Sequence, residues 1–285
     1  MPLPAPWQIT PLAVAAVVLC LAYELGLRSL ATRQIPAHRR RTRLRSLAFY
    51  GGMLAAALIA SGPLERWSMA WLSVHMVIHV FEMFYLPPLL ILGAPWVPIL
   101  FALPLERRRK LLGGFYRARS WRWLRATSSV LTSPIFAIVA FNGIMILWHL
   151  PVVFDWMSWH DWSMNWLMTP SFLISGYLFW RVILPSHPAP ARGSSRVQLV
   201  AIVVTAFEML VLAMALAIFT KDPWYSMNIA MDGATSALRD QRYAAGILWV
   251  CGDFWAVPAL VLVFFRLSNR EGGVFRSLEK ALQPT

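Results

Sequence analysis

The chain has 285 residues, 58% of them hydrophobic and only 14% charged, with a formal net charge of +13. Soluble domains carry roughly 25% charged residues, so this composition excludes an ordinary water-soluble enzyme or binding module and describes an integral membrane protein of one bundle. The two cysteines, Cys20 and Cys251, lie far apart in apolar stretches, without the paired spacing of a disulfide framework or a thiolate metal site.

In chain order there are seven apolar stretches, at 9–31, 46–62, 68–92, 129–149, 165–185, 197–219 and 243–265. Most approach the ~20 residues a membrane-crossing helix needs; the second is the shortest. The first lacks a basic leader and a small-residue cleavage site, and reads as a retained helix. Six arginines lie between the first and second stretches (Arg33 to Arg45), and eight basic residues between the third and fourth (Arg107 to Arg125). Arg192 and Arg196 follow the fifth, and Arg266, Arg270, Arg276 and Lys280 follow the seventh. The opposite side holds only Arg66, Lys221, Arg239 and Arg242. Basic loops stay on the cytoplasmic side, so the expected fold is all-α: a polytopic seven-transmembrane-helix bundle, one membrane domain over 1–285, N-terminus outside and C-terminus inside. Trp96 to Leu103 is apolar but too short to span, and reads as interfacial or re-entrant. The segment 104–125 interleaves arginine with Phe115, Tyr116, Trp121 and Trp123, which suits anionic lipid headgroups and not nucleic acid.

The third stretch carries the chemistry. It reads MAWLSVHMVIHVFEMFYLPPLLILGAP from Met69 to Pro95. At 100° per residue His75, His79 and Glu82 lie at about 0°, 40° and −20°, sharing one face, with Met83 and Met76 on its flank at about 80° and 100°. Ionisable groups in a bilayer are costly and usually face a bundle interior, where they carry function. Pro87-Pro88 is expected to break the helix below these groups, because proline lacks the backbone donor and fixes φ. Elsewhere His149 ends the fourth stretch, Glu208 lies mid-way in the sixth and Asp253 in the seventh, all at a depth that could build one polar site opening outward. His160 reads as surface; His38 and His187 fall in cytoplasmic loops and carry no assignment.

Imidazole with thioether is a soft to borderline ligand set, and thioether in particular favours Cu(I). The chain has 13 methionines, most of which serve as membrane filler. A His-x3-His with Met after the first His is more specific. It is not the HExxH of a zinc protease, because position 76 is Met. The histidines are also too few for a di-iron box set.

These residues resemble the CtaG-type membrane assembly factors of aa3-family cytochrome c oxidases, bacterial seven-helix proteins. The resemblance rests on His75-Met76, His79, Pro87 to Leu90 and Leu92 to Pro95, with Trp148-His149 and Pro151, and Asp240-Gln241 followed by Gly246 and Trp249. It runs from about 48 to 266. It implies a role in maturing a haem-copper oxidase in the bacterial inner membrane, with the N-terminus periplasmic, and copper handling as a plausible activity. The partners implied are oxidase subunits, a periplasmic copper chaperone and membrane lipid. In that version Cu(I) is held by His75, His79 and Met76 or Met83, with His149 as a further ligand and Glu82, Glu208 and Asp253 orienting the rings. Family members often carry a Glu-His pair early in the fifth helix; here Ser163 to Thr169 has no histidine, and Met164 or Met168 are the candidate substitutes. Two other readings stay open: a metal-free scaffold that docks oxidase subunits, and an intramembrane zinc hydrolase built on His75, His79, His149 and Asp253.

Overall fold

The computed structural model describes residues 7, 9–31, 39–117 and 119–268; Arg33, His38, Arg270, Arg276 and Lys280 lie outside the described residues. The regular structure of the described residues is helical, with no β-strand among them. Helix occupies each of the seven apolar stretches, but four helices are by themselves long and apolar enough to cross a membrane. These are α1 (Pro11–Ala31), α2 (Arg39–Ser61), α4 (Leu72–Gly93) and α11 (Ser195–Ala217). A fifth crossing exists if α7 (Arg122–Leu131) and α8 (Pro134–His149) count as one bent span; they meet at 62°.

The bend has a local cause. Pro134 pushes Ser133 into extended backbone, and Ser133 Oγ then caps the new helix by accepting from Phe136 N at 3.3 Å. The second stretch is longer than its apolar core, because residues 39–45, five of them arginine, a good helix former, continue the helix. The seventh is interrupted instead: α13 (Ala234–Asp253) gives way at Phe254-Trp255 to α14 (Ala256–Ser268). Short helices fill the connections, among them α3 (Pro63–Ala70), α5 (Trp96–Ala102), α6 (Leu105–Arg117), α9 (Pro151–Ser158), α10 (Thr169–Ile183) and α12 (Ser226–Asp232).

Two cores form. The smaller joins α1, α2 and the end of α4, where Tyr23 stacks on Phe49 with ring centroids 4.2 Å apart and its hydroxyl donates to Gly93 O at 3.2 Å. On its other side α1 crosses α5 at Gly26; a Cβ there would sit 1.7 Å from Pro98 O, so only glycine permits the approach. The larger core gathers α4, α8, α10, α11, α13 and α14. Its centre is aromatic, with Phe141 on Phe179 at 4.3 Å and Phe84 on Trp255 at 5.1 Å. The outward faces are apolar too: Val203, Phe207 and Val211 of α11 form an exposed stripe four residues apart. In lipid such burial is not driven by water, so close packing and hydrogen bonds between helices have to hold the bundle.

The expected break at Pro87-Pro88 does not occur; α4 runs unbroken from Leu72 to Gly93. Its turn Phe81–Tyr85 is widened to π geometry, Leu86 N reaching back five residues to Phe81 O, and the prolines occupy the first turn after it. Widening relieves the proline ring's clash with the preceding turn. It still leaves Met83 O without a backbone donor, because Pro87 and Pro88 have none to give. Trp180 Nε1 of α10 supplies the missing hydrogen bond at 3.2 Å. A second π turn, Met164–Met168, likewise stands just before a proline, Pro170, and leads into α10. The chain breaks above the histidines instead, at Trp71, whose φ of −121° and ψ of 115° are extended and separate α3 from α4.

Candidate metal centre

The start of α4 has backbone donors to satisfy and no local cap, since tryptophan precedes it. Asp240 of α13, 168 residues away in sequence, provides one. Its carboxylate accepts from Leu72 N at 2.6 Å, Ser73 N at 3.3 Å and Ser73 Oγ at 2.5 Å, and it is almost fully buried. A negative charge at the positive end of the helix is favourable. Its neighbour Gln241 accepts from Trp224 N at 2.7 Å and donates to Leu216 O at 2.9 Å, joining α13 to the end of α11. The sequence singled out this pair only by resemblance; its work is to fix the helix that bears the histidines.

One turn below the cap, His75 and His79 are fully buried. Their Nε2 atoms lie 2.5 Å apart, with ring planes at 85°. Phe154 closes on His75 at 5.2 Å between centroids and Phe172 on His79 at 4.6 Å. Below them, Glu82 Oε2 stands 3.5 Å from His79 Nδ1. Neither of those two buried atoms has a hydrogen-bond partner, although the Glu82 carboxyl also reaches Thr169. The predicted face of His75, His79 and Glu82 is therefore one cluster, with Glu82 inside the π turn.

His149 lies within electrostatic reach of both rings. Its Nδ1 is 2.6 Å from Met145 O, so Nδ1 carries the proton, and Nε2 keeps its lone pair in the neutral ring. Met76, Met83, Met164 and Met168 are all buried in the core cluster that contains Phe154 and Phe172. The helix-five segment without histidine thus contributes thioethers, and two polar side chains besides: Thr169 toward Glu82 and Asn165 toward Glu65.

Glu65 was not anticipated. It lies on α3, in a stretch that shows no helical apolar stripe to mark it. Burial, the Glu82 carboxylate and, against them, the Asn165 hydrogen bond leave its carboxyl pushed up to about 7. His75 borders a narrow cleft of about 10 Å³ with Ser68, Met69, Met157, Ser158 and Asn228, room for one water molecule.

The other predicted groups stand apart. Glu208 and Asp253 are partly buried, each with one oxygen that has no hydrogen-bond partner, and neither pairs with an imidazole. The four-ligand zinc set with Asp253 is not assembled, and no cluster of three or more His, Cys, Asp or Glu side chains able to hold a metal occurs among the described residues. His160 is exposed, bonded to Trp156 O and stacked on its ring.

For copper the fit is conditional on a small movement. Nitrogens about 2.0 Å from one metal stand roughly 3.3 Å apart at a tetrahedral angle and about 4 Å apart when linear. The two Nε2 atoms would have to part by about 1 Å, turning a shared hydrogen bond into two metal bonds. The surrounding donors, a third imidazole and several thioethers, are the types that favour Cu(I).

Several long helices, apolar toward the outside and packed around buried histidines, are those of a membrane protein. The chain belongs to the family described as cytochrome c oxidase caa3 assembly factor (Caa3_CtaG), which it matches over residues 21–270. It is also similar to uncharacterised proteins of Mycobacterium bovis and Mycobacterium tuberculosis, each 27% identical over 273 residues, 93% of this chain and 40% of theirs. A Mycobacterium leprae protein, also uncharacterised, is 25% identical over 80% of this chain and 34% of its own. The chain thus spans about two-fifths or less of the length of these relatives. No solved structure matches it significantly.

Proposed function

We propose that this protein assists assembly of a haem-copper cytochrome c oxidase by holding Cu(I) as cargo at His75 and His79 and passing it to an oxidase subunit. The observation that carries the reading is the pair of buried imidazole nitrogens facing each other, on a helix whose methionines Met76 and Met83 are buried in the same core. Cu(I) takes the place of the proton shared by the two Nε2 atoms. Met76 or Met83 and the free Nε2 of His149 complete its shell, and Met164 and Met168 stand in for the family's missing Glu-His pair. Glu82 receives Nδ1–H of His79, which orients that ring and strengthens it as a ligand. With seven spans and the basic loops inside, the cleft beside Ser68 and Asn228 faces the periplasm, where a copper chaperone would deliver the ion.

The same short nitrogen–nitrogen contact favours one other reading, a metal-free scaffold in which the histidines simply pair with each other. Metal analysis of protein purified under reducing conditions separates the two. Copper bound by the wild type and lost from a His75→Ala/His79→Ala variant supports the cargo reading; wild-type protein that takes up no copper leaves the scaffold.

A further inference from the structure

A second cavity, of about 400 Å³, lies away from the histidines, at the other end of α10. It is framed by Tyr177 and Arg181 of α10, by Ser186, His187 and Arg192 of the loop that follows, and by Trp96. Arg181 is only 7% exposed, and its guanidinium donates to two neutral acceptors, Leu184 O at 2.9 Å and Pro190 O at 3.0 Å. Arg192 donates to Thr132 O at 2.8 Å. Neither guanidinium pairs with a carboxylate; the arginine–carboxylate pair among the described residues lies elsewhere, between Arg28 and Glu24. The remaining wall offers donors. Tyr177 accepts from Trp96 Nε1 at 2.9 Å and keeps its own proton to give. Ser186 Oγ is buried beside the Tyr177 hydroxyl and forms no hydrogen bond of good geometry.

A buried cation held only by carbonyl groups is incompletely compensated, and an oxyanion is the ligand that a set of guanidinium and hydroxyl donors recognises. The volume suits an organic ligand better than a single ion. The adjoining cavity, about 170 Å³, shares His187 and brings Arg45 together with Leu27, Leu30 and Val97, a basic group beside apolar walls. Arginines 45, 181 and 192 all lie toward the side of the basic loops. Basic pockets between helices on the cytoplasmic side of a membrane bind anionic headgroups.

We infer that this pocket binds the phosphate of an anionic phospholipid from the inner leaflet, with its phosphate against Arg181, Arg192, Tyr177 and Ser186 and an acyl chain along the neighbouring apolar wall. The test uses the full-length chain, stripped of lipid in detergent. Native mass spectrometry and thermal unfolding are followed with phosphatidylglycerol, phosphatidylcholine, glycerol 3-phosphate and inorganic phosphate. One phosphatidylglycerol should stay bound per chain and raise the melting temperature, and phosphatidylcholine should do neither. Arg192→Gln and Ser186→Ala, both away from the histidines, should weaken phosphatidylglycerol at least tenfold without changing the lipid-free melting temperature. Arg109→Gln, on the exposed interfacial helix, should bind as the wild type. Equal response to both phospholipids, or unaltered binding by both pocket variants, overturns the site. Inorganic phosphate binding as tightly as phosphatidylglycerol overturns the lipid as its source.

Discussion

Asp240→Ala is the substitution that asks most of the structure. The carboxylate ends two buried backbone donors, Leu72 N and Ser73 N, and the Ser73 hydroxyl, all from a different helix. Loss of a helix N-cap costs about 0.5–2 kcal/mol, and loss of a charge at a partly buried helix terminus up to about 2 kcal/mol. Because the vacated space is buried, water replaces the carboxylate poorly, so the sum for Asp240→Ala should be about 3 kcal/mol. Asp240→Asn keeps one acceptor oxygen and loses the charge, for about half that. Unfolding by SDS titration in mixed micelles measures both. The effect should be local as well as global. His75 lies one turn from the cap, so fraying of the first turn disorders it before His79, and copper affinity should fall at least tenfold in Asp240→Ala. An alanine variant as stable as the wild type would refute the capping argument, and equal losses for alanine and asparagine would refute the halved cost, since the neutral oxygen that asparagine keeps would then contribute nothing.

Trp180→Phe keeps the ring but leaves Met83 O without a donor, and should destabilise the bundle by about 1–3 kcal/mol in the same titration. Trp180→His, which can restore an N–H, should recover part of it. The His75→Ala/His79→Ala variant should lower mature oxidase activity while immunoblotting finds normal levels of the factor; equal loss of both would point to misfolding. Added copper should rescue Met76→Ala but not the double variant, since occupancy follows mass action. Glu65, with its carboxyl pushed up to about 7, binds its proton more tightly folded than unfolded. Its favourable contribution is complete below about pH 4.5 and lost as pH rises through 7, so Glu65→Gln should match the wild type at pH 4.5. At pH 8 it should be more stable, by on the order of 2–3 kcal/mol; a pH-independent difference would show that Glu65 does not titrate there. Cysteines placed beside Asp155 should be labelled from the periplasm and those at Arg40 and Arg109 should not; labelling of position 109 from outside would overturn the orientation.

The His75–His79–Glu82 cluster was legible because it lies within one helix, where spacing alone decides which side chains meet. Hydropathy likewise located helix in every apolar stretch. What escaped were relations between helices. Asp240 reads as an acid shortly before an apolar run, and nothing local says that its partner is Leu72. Glu208 and Asp253 have a plausible depth, but depth does not give the rotational setting of a helix, and both turn out to make no bond to the rings. The prolines misled for a related reason. Their missing donors were read as a break, whereas a wider turn and one tryptophan from a neighbouring helix absorb them.

The π turns have a further consequence. A wider turn holds one residue more than an α turn, so the length of chain on either side is keyed to that surplus. Deleting a single residue from Phe81–Tyr85 would let α4 close as ordinary helix. Leu86 N would then reach Phe81 O across four residues instead of five, and the halves on either side would keep their rotation and rise. His75 and His79 would stay in the bundle, while Pro87 and Pro88 would lose the widened turn that receives their rings. The surplus residue thus buffers the histidine-bearing half against a change of length in the turn, and the same arithmetic applies to Met164–Met168, which stands before Pro170.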